Sequence, residues 1–401
     1  MEIPKEHLQR YLDLKRDFRE DKCINLHPIQ RGGVLSEEAR KAINEFGDGY
    51  STCDWCPPKS ARLDMIEKPP IKQFLEDLTI FLGMDVARVV TRCREAKWIA
   101  FSALAKPGDY VVLDSLAHYS SYVAAEVAGL RVKEVPHSGY PEFKLDLDSY
   151  KTKIEEVKNE TGKLPAVVLL THTDYLYGNL NDPGIVAEIS REYGIPFLLN
   201  AAYTAGIMPI NGKQMGVDII VSSGHKSWAA SAPTGILAMK QGVSEKILSR
   251  SEIVGDWSGR KFSAKERYLL GCTVMGAPFL SLIASFPYVV ERVKLWDKEI
   301  ENVCYLVSEL EKIEGIKQIG TRPKEHTLTH IESSGFDGVA KRHKKRGYFL
   351  YEELKKRGIV GIQPGMTKHF KLNTYGLSKE KIQYVAQAFK EIAKDNGLNV
   401  V

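Results

Sequence analysis

The chain is poor in cysteine, lacks long apolar runs, and has no extreme of charge, and each shortage excludes something. Six cysteines scattered over 401 residues do not form the disulfide framework of a small secreted protein, so reduced thiols and a cytoplasmic location are expected. No apolar run approaches the ~20 residues needed to cross a bilayer. The opening "MEIPKEHLQRYLDLKRDFRE" alternates charges along a helical pattern and lacks the apolar centre of a signal peptide. No membrane partner is therefore expected. With 56 Lys and Arg against 51 Asp and Glu the formal charge is +5, compatible with an anionic partner but far below histone-like density. Internal repeats and low-complexity segments are absent too.

What is present is an alternation of short apolar runs and amphipathic stretches from about residue 85. "ARVVTRC" reads as a strand, "REAKWIAFSALA" as a helix, "YVVLD" as a strand and "HYSSYVAAEVAG" as a helix. Strand "PAVVLLTHT", helix "DPGIVAEISREYG" and strands "IPFLLNAA", "VDIIVSS" and "TGILAMK" continue the rhythm. Strands and helices at this spacing predict an α/β fold, a mostly parallel sheet covered on both faces. After Pro287 the rhythm changes to a long charged helix, "YVVERVKLWDKEIENVCYLVSELEKI", then "TLTHIES", "YFLYEELKKRG", "HFKLNTYG" and a last helix "SKEKIQYVAQAFKEIAKDNG". The expected organisation is an N-terminal segment (1–60), a large domain (61–290) and a smaller α+β domain (291–401).

Two features carry chemistry. In "GDGYSTCDWCPP", Cys53 and Cys56 stand two residues apart. That spacing suits zinc, thiol–disulfide exchange, a cluster or a persulfide, although no second Cys or His pair stands at zinc spacing. In "IIVSSGHKSWAASAPTGIL" an apolar strand runs out into Ser223, Gly224, His225 and Lys226. A lysine at the carboxyl end of a strand in such a sheet sits where ligands bind, and desolvation there makes it a nucleophilic amine able to form a Schiff base. "LLNAAYTAGIMPI" ends a strand at Asn200, "VLDSLAHYSSY" brings His118, and "VVTRCREAKW" runs from a strand straight into a helix start bearing Arg92 and Arg94. A Schiff-base lysine, a stacking aromatic, a ring-nitrogen partner and a phosphate site are the parts that bind pyridoxal phosphate.

"SSGHK", "NAAYTAG", "AHYS" and "THTDYLYG" resemble, in order and spacing, the fold-type I pyridoxal-phosphate enzymes of the cysteine desulfurase and class V aminotransferase kind. The resemblance implies a homodimer with Lys226 bonded to the cofactor and His118 stacked on its ring. It also implies Ser223, Gly224 and His225 near the phosphate, Asp174 near the ring hydroxyl and Asn200 facing the pyridine nitrogen. Three positions depart from that pattern. Asn200 replaces the usual aspartate, and an amide donates a hydrogen bond without supplying charge, which favours elimination of a good leaving group over transamination. Cys93, Arg94, Glu95 and Ala96 replace the usual Gly-Thr or Ala-Thr phosphate cradle. Lys371 stands where relatives acting on free amino acids carry an arginine for the carboxylate.

With "IQRGGVLSEEAR", "FGDGYSTCDWC", "TRCREAKW" and the Gly-Cys at 271–272, these departures resemble the O-phosphoseryl-tRNA:cysteinyl-tRNA synthase family over nearly the whole chain. That resemblance implies a transferase that replaces the phosphate of phosphoseryl-tRNA(Cys) with sulfur, a sulfide or persulfide donor, and the phosphoseryl-tRNA synthetase as a partner. Lys226 then serves as base, and Arg94, His118 and Lys371 are candidates to hold the departing phosphate. Cys53, Cys56 and Cys272 are the implied sulfur-handling set, carrying a persulfide or ligating an iron–sulfur cluster. Cys93 reads as packing, and Cys23 and Cys304 as structural. The basic, aromatic-interleaved stretch "KRHKKRGYFLYEELKKRG", residues 341–358, is the expected tRNA contact.

Overall fold

The computed structural model describes residues 5–9, 11–12, 22–48, 51–52, 71–269 and 274–401. Seven short strands, β1 (Val86–Val90), β2 (Tyr110–Asp114), β3 (Arg131–Val135), β4 (Val167–Thr171), β5 (Phe197–Asn200), β6 (Ile219–Ser223) and β7 (Gly235–Met239), form one sheet. Its order is β1-β7-β6-β5-β4-β2-β3. Strands β2 to β6 pair in parallel, whereas β7 runs antiparallel to both of its neighbours.

Every residue of β4, β6 and β7 is buried, because helices cover both faces and an uninterrupted apolar run then has no polar side to present. Successive side chains divide between two cores as the pleat dictates. Val112, Val168, Leu170, Leu199 and Ile220 point into one, and Val111, Leu113, Val167, Leu169 and Ile219 into the other. Local chemistry sets the helix ends: the Pro183–Tyr193 helix starts on an Asp182 cap with Pro183 in its first turn and ends at Gly194 in the left-handed region.

The change of rhythm after Pro287 takes a different form from the expected single helix. A helix spans Gly276–Arg292 with Pro287 inside it, gives way to a tight turn at Val293–Leu295, and a second helix runs Trp296–Leu310. Burial of Phe279, Leu282 and Val289 in the large-domain core outweighs the one backbone bond that the proline removes.

The small domain is an antiparallel sheet of β8 (Ile316–Ile319), β9 (Leu328–Ser333) and β10 (His369–Asn373) in the order β8-β9-β10. One face packs on Phe336, Phe349, Phe389 and their neighbours. Side chains of the other meet the large domain: His330 Nδ1 lies 3.0 Å from the Leu176 carbonyl, and Lys371 Nζ donates to the Tyr175 carbonyl at 3.1 Å.

The N-terminal residues join the two domains. Ile24–Asn25 pairs in parallel with Ile359–Val360, and Leu26 lies in the small-domain core. The Glu37–Glu45 helix, capped by Ser36, packs on the Gly276–Arg292 helix. Ser51–Thr52 pairs antiparallel with Val274–Met275.

Candidate active site

The carboxyl ends of five strands converge on a narrow cleft. Cys93 and Lys97 reach it from the helix after β1, His118 and Ser120 from the segment after β2, and Thr171, Thr173 and Tyr175 from the end of β4. Asn200, Ala202 and Tyr203 follow β5, and Lys226 follows β6. In a sheet of this topology the side chains beyond the strand ends are free of ladder packing and can be given to a ligand.

Lys226 sits in a single helical turn, Gly224–Ser227, directly after β6. Its Nζ lies 4.5 Å from the centre of the Tyr203 ring. Burial pushes its pKa below the usual lysine value, opposed by the nearby Cys93, so a larger share of the amine is neutral and nucleophilic. The turn is clamped from behind by the "RGG" segment. Ala229 N–H donates to the Gly32 carbonyl at 3.0 Å. The buried Arg292 guanidinium donates to the carbonyls of Gly206, Gly32 and Ser227 at 2.8, 2.9 and 2.7 Å. Gly33 is required there, since a Cβ would stand 1.8 Å from the His225 carbonyl oxygen.

His118 caps the Tyr119–Val127 helix, its Nδ1 accepting from the Ser120 N–H at 3.2 Å. Its ring lies edge-on to Tyr175 at 4.8 Å. Burial, then the charges of Lys226, Lys97 and Lys371, push its pKa down to about 4, so the ring is neutral at physiological pH. Lys97 is fully buried, with Nζ donating to Ser120 Oγ and Ser121 Oγ at 2.8 and 2.9 Å. Its pKa is lowered to about 8, chiefly by burial. Asn200 Oδ1 accepts from Cys93 Sγ at 3.6 Å and from the Ala202 N–H at 3.4 Å, which leaves the amide nitrogen as its remaining hydrogen-bonding group. Burial raises the Cys93 pKa, so the thiol stays protonated and donates. Cys93, expected as packing, thus also orients Asn200.

Lys226, His118 and Asn200 are brought together in the cleft. Ser223, Gly224 and His225 lie just behind it, with Ser223 Oγ 3.3 Å from His225 Nδ1. Burial, then Lys226 and Arg92, push the His225 pKa down to about 4. A Cβ on Gly224 would meet Thr234 Oγ1 at 1.9 Å, and one on Gly235 would meet the Arg92 carbonyl carbon at 2.4 Å. The Gly235 end of β7 therefore lies backbone to backbone against the start of the Cys93–Leu104 helix, and Gly224 packs on the Thr234 side chain. Arg94 is exposed on the first turn of that helix. Glu95 is turned back, accepting from the Thr91 N–H at 2.7 Å and from the Thr91 hydroxyl, and so caps its own helix.

Asp174, expected at the ring hydroxyl, does not line the cleft. Both of its oxygens are taken by the turn that follows it, accepting from the N–H groups of Leu176, Tyr177 and Asn179 at 2.8, 2.6 and 2.8 Å. The preceding residue, Thr173, lines the cleft instead. Lys371 approaches from the small domain, its Nζ 5.2 Å from the Tyr175 ring centre.

Cys53, Cys56 and Cys272 lie outside the described residues. The pairing of Ser51–Thr52 with Val274–Met275 sets side by side the segments that lead into Cys53 and out of Cys272. Among the described residues no group of three metal-binding side chains is assembled. Of the basic stretch 341–358, Lys341, Lys345, Lys356 and Arg357 pair with Asp337, Glu352, Glu353 and again Glu353.

Sequence reasoning misses Lys97, Tyr203, Thr173 and Arg292. Only Lys97 leaves a trace: a lysine at a helical position otherwise filled by buried residues, Cys93, Ala96 and Ala100. The donor set fits pyridoxal phosphate. It offers a desolvated amine, an oriented amide, a flat neutral ring and a helix start with free N–H groups. Among the described residues, the buried Thr173 hydroxyl also has no partner.

The model of the family described as O-phosphoseryl-tRNA(Sec) selenium transferase matches residues 58–394. An O-phospho-L-seryl-tRNA:Cys-tRNA synthase 2 of Archaeoglobus fulgidus is 55% identical over 378 residues, 94% of this chain and 96% of that protein. A solved SepCysS–SepCysE N-terminal domain complex is 51% identical with a TM-score of 0.88, covering 97% of this chain and 99% of that one. A cysteine desulfurase from Thermococcus onnurineus NA1, 17% identical with a TM-score of 0.70 over 95% of this chain and 99% of that one, shares the fold-type I architecture. Identity at this level over nearly the full length of both chains places this chain in the O-phospho-L-seryl-tRNA:Cys-tRNA synthase family.

Proposed function

We propose that the chain converts O-phosphoseryl-tRNA(Cys) to cysteinyl-tRNA(Cys), replacing phosphate at the β-carbon with sulfur. The observation that carries the reading is the cleft itself, in which Lys226, His118 and Asn200 stand with Lys97 and within reach of Lys371. None of the three lysines is in an ion pair among the described residues. Buried cations without carboxylate partners are costly unless an anion completes them, and cofactor and substrate each bring a phosphate.

Pyridoxal phosphate, held by Lys226, Asn200, His118, the Ser223–His225 turn and the helix start bearing Arg94, supplies when bound an electrophilic carbon and a sink for the electrons released at the substrate's α-carbon. Lys226 Nζ is the base that takes the α-proton and later returns one. Arg94, His118 and Lys371 receive the departing phosphate. The charges of Lys371 and Arg94 favour that dianion, and the neutral His118 can donate an N–H to it. The α-carboxylate is tied up as the tRNA ester, so Lys371 is free for phosphate. Cys53, Cys56 and Cys272 are the sulfur-handling set: a persulfide on one would add its outer sulfur to the β-carbon, a second thiolate of the set would cleave the S–S bond, and an external thiol would reduce the disulfide left behind; alternatively their thiolates would ligate an iron–sulfur cluster that would supply sulfide. A homodimer with sites at the interface completes the reading, with tRNA held in part by Arg342, Lys344 and Arg346. The solved relative's complex with a SepCysE domain supports a further protein partner, and the phosphoseryl-tRNA synthetase is one candidate.

The test is anaerobic incubation with phosphoseryl-tRNA and sulfide, followed by identification of the esterified amino acid. Cysteine is expected from the wild type and none from Lys226→Ala. Release of alanine from free cysteine, with no product on tRNA, would reassign the chain as a desulfurase. Product formation with a selenium donor but not with sulfide would reassign the donor.

A further inference from the structure

We infer that Lys97 is a positioning residue which, through the Ser120 hydroxyl, holds His118 as a neutral ring with its proton on Nε2. Donors and acceptors decide this. Lys97 as an ammonium has three donors and no acceptor, so both serine oxygens it meets, Ser120 Oγ at 2.8 Å and Ser121 Oγ at 2.9 Å, must accept. With its oxygen engaged by Lys97, Ser120 has its own hydrogen to give, and His118 Nδ1 lies 2.9 Å away. The same Nδ1 also accepts from the Ser120 backbone N–H at 3.2 Å. A nitrogen that accepts twice cannot carry a proton, which leaves it on Nε2.

The surroundings reinforce this. The groups facing His118 are the rings of Tyr119 and Tyr175 and the amines of Lys226, Lys97 and Lys371, none of them a carboxylate that would stabilise an imidazolium. Lys97 is 0% exposed, so its charge is poorly screened.

The inference rests on the proposed reading of the cleft and divides the labour within it. His118 can offer an N–H to an anionic oxygen, whereas it has no free nitrogen with which to take a proton. Proton abstraction then falls to Lys226 alone, and Lys97 enforces that division through Ser120.

The test is nitrogen-15 NMR of histidine-labelled holoenzyme, with the His118 resonances assigned by their loss in His118→Gln. The wild type should show the Nε2–H form with no titration above about pH 5. Lys97→Met should move the His118 midpoint up towards the ordinary histidine value, with kcat lowered about tenfold and KM for the tRNA little changed. Ser120→Ala keeps Lys97 in place but removes the hydroxyl donor, leaving Nδ1 with the backbone N–H alone, and should also raise the midpoint, and Ser120→Thr, which retains the hydroxyl, should restore the wild-type spectrum. Unchanged His118 tautomer and midpoint in both Lys97→Met and Ser120→Ala would overturn the inference. The functional reading fails separately, if Lys226→Ala still makes cysteinyl-tRNA while the His118 spectra behave as stated.

Discussion

Two basic regions of this chain look alike as sequence and differ in the fold. Residues 341–358 are dense in lysine and arginine, yet Lys341, Lys345, Lys356 and Arg357 each lie within 3.1 Å of a carboxylate oxygen. Lys97, Lys226 and Lys371 are scattered along the chain, converge on the cleft and its rim, and have no carboxylate partner among the described residues. Charge density in sequence is therefore a poor guide to where an anion is wanted. The field that matters comes from cations that are desolvated and left uncompensated.

That contrast can be broken or sharpened by substitution. The largest effect is expected from Lys226→Ala, which should lower single-turnover formation of cysteinyl-tRNA by about a thousandfold or more; a loss under tenfold would deny the cleft its base. Lys371→Met should lower kcat/KM for phosphoseryl-tRNA about tenfold, or about 1.4 kcal/mol. An unchanged kcat/KM would remove Lys371 from phosphate binding.

Burial of a cation also leaves a mark on stability. The Lys97 pKa falls from 10.5 in the unfolded chain to about 8 in the fold. Between those values the unfolded chain holds a proton that the folded one has released, so stability rises with pH across that window. In denaturant titrations the wild type should gain roughly 1 kcal/mol per pH unit, relative to Lys97→Met, between about pH 8 and 10.5. A flat difference would mean that Lys97 is solvated.

The smallest effects belong to the surface. Arg342→Ala with Lys344→Ala should weaken tRNA binding several-fold and reduce the salt slope by about 1 for each phosphate that is no longer neutralised. Lys341→Ala, already paired with Asp337, should change binding little and stability by less than about 1 kcal/mol.

Strands are legible wherever they are buried on both faces. "YVVLD" and "VDIIVSS" correspond to β2 and β6 because an unbroken apolar run bounded by turn residues has few other uses. The edge strand β3 escapes, since "RVKEV" is half exposed and carries no apolar run. The resemblance points to Asp174, whose carboxylate the following turn takes up, and no local pattern marks its neighbour Thr173, which lines the cleft. Cys93 shows in sequence only as an apolar residue, and its bond to Asn200 spans 107 positions of chain.

The sequence by itself determined the layered α/β core, the lysine at the end of a buried strand, and the histidine and amide that accompany it. These follow from local periodicity and from residue types whose chemistry is narrow. Only the tertiary structure decided which cations are desolvated, that "RGG" braces the Lys226 turn through Arg292, and that Lys97 reaches His118 through Ser120. Burial and hydrogen-bond direction depend on segments far apart in sequence meeting at the strand ends, and no local pattern encodes which of 56 lysines and arginines will be shut away from water.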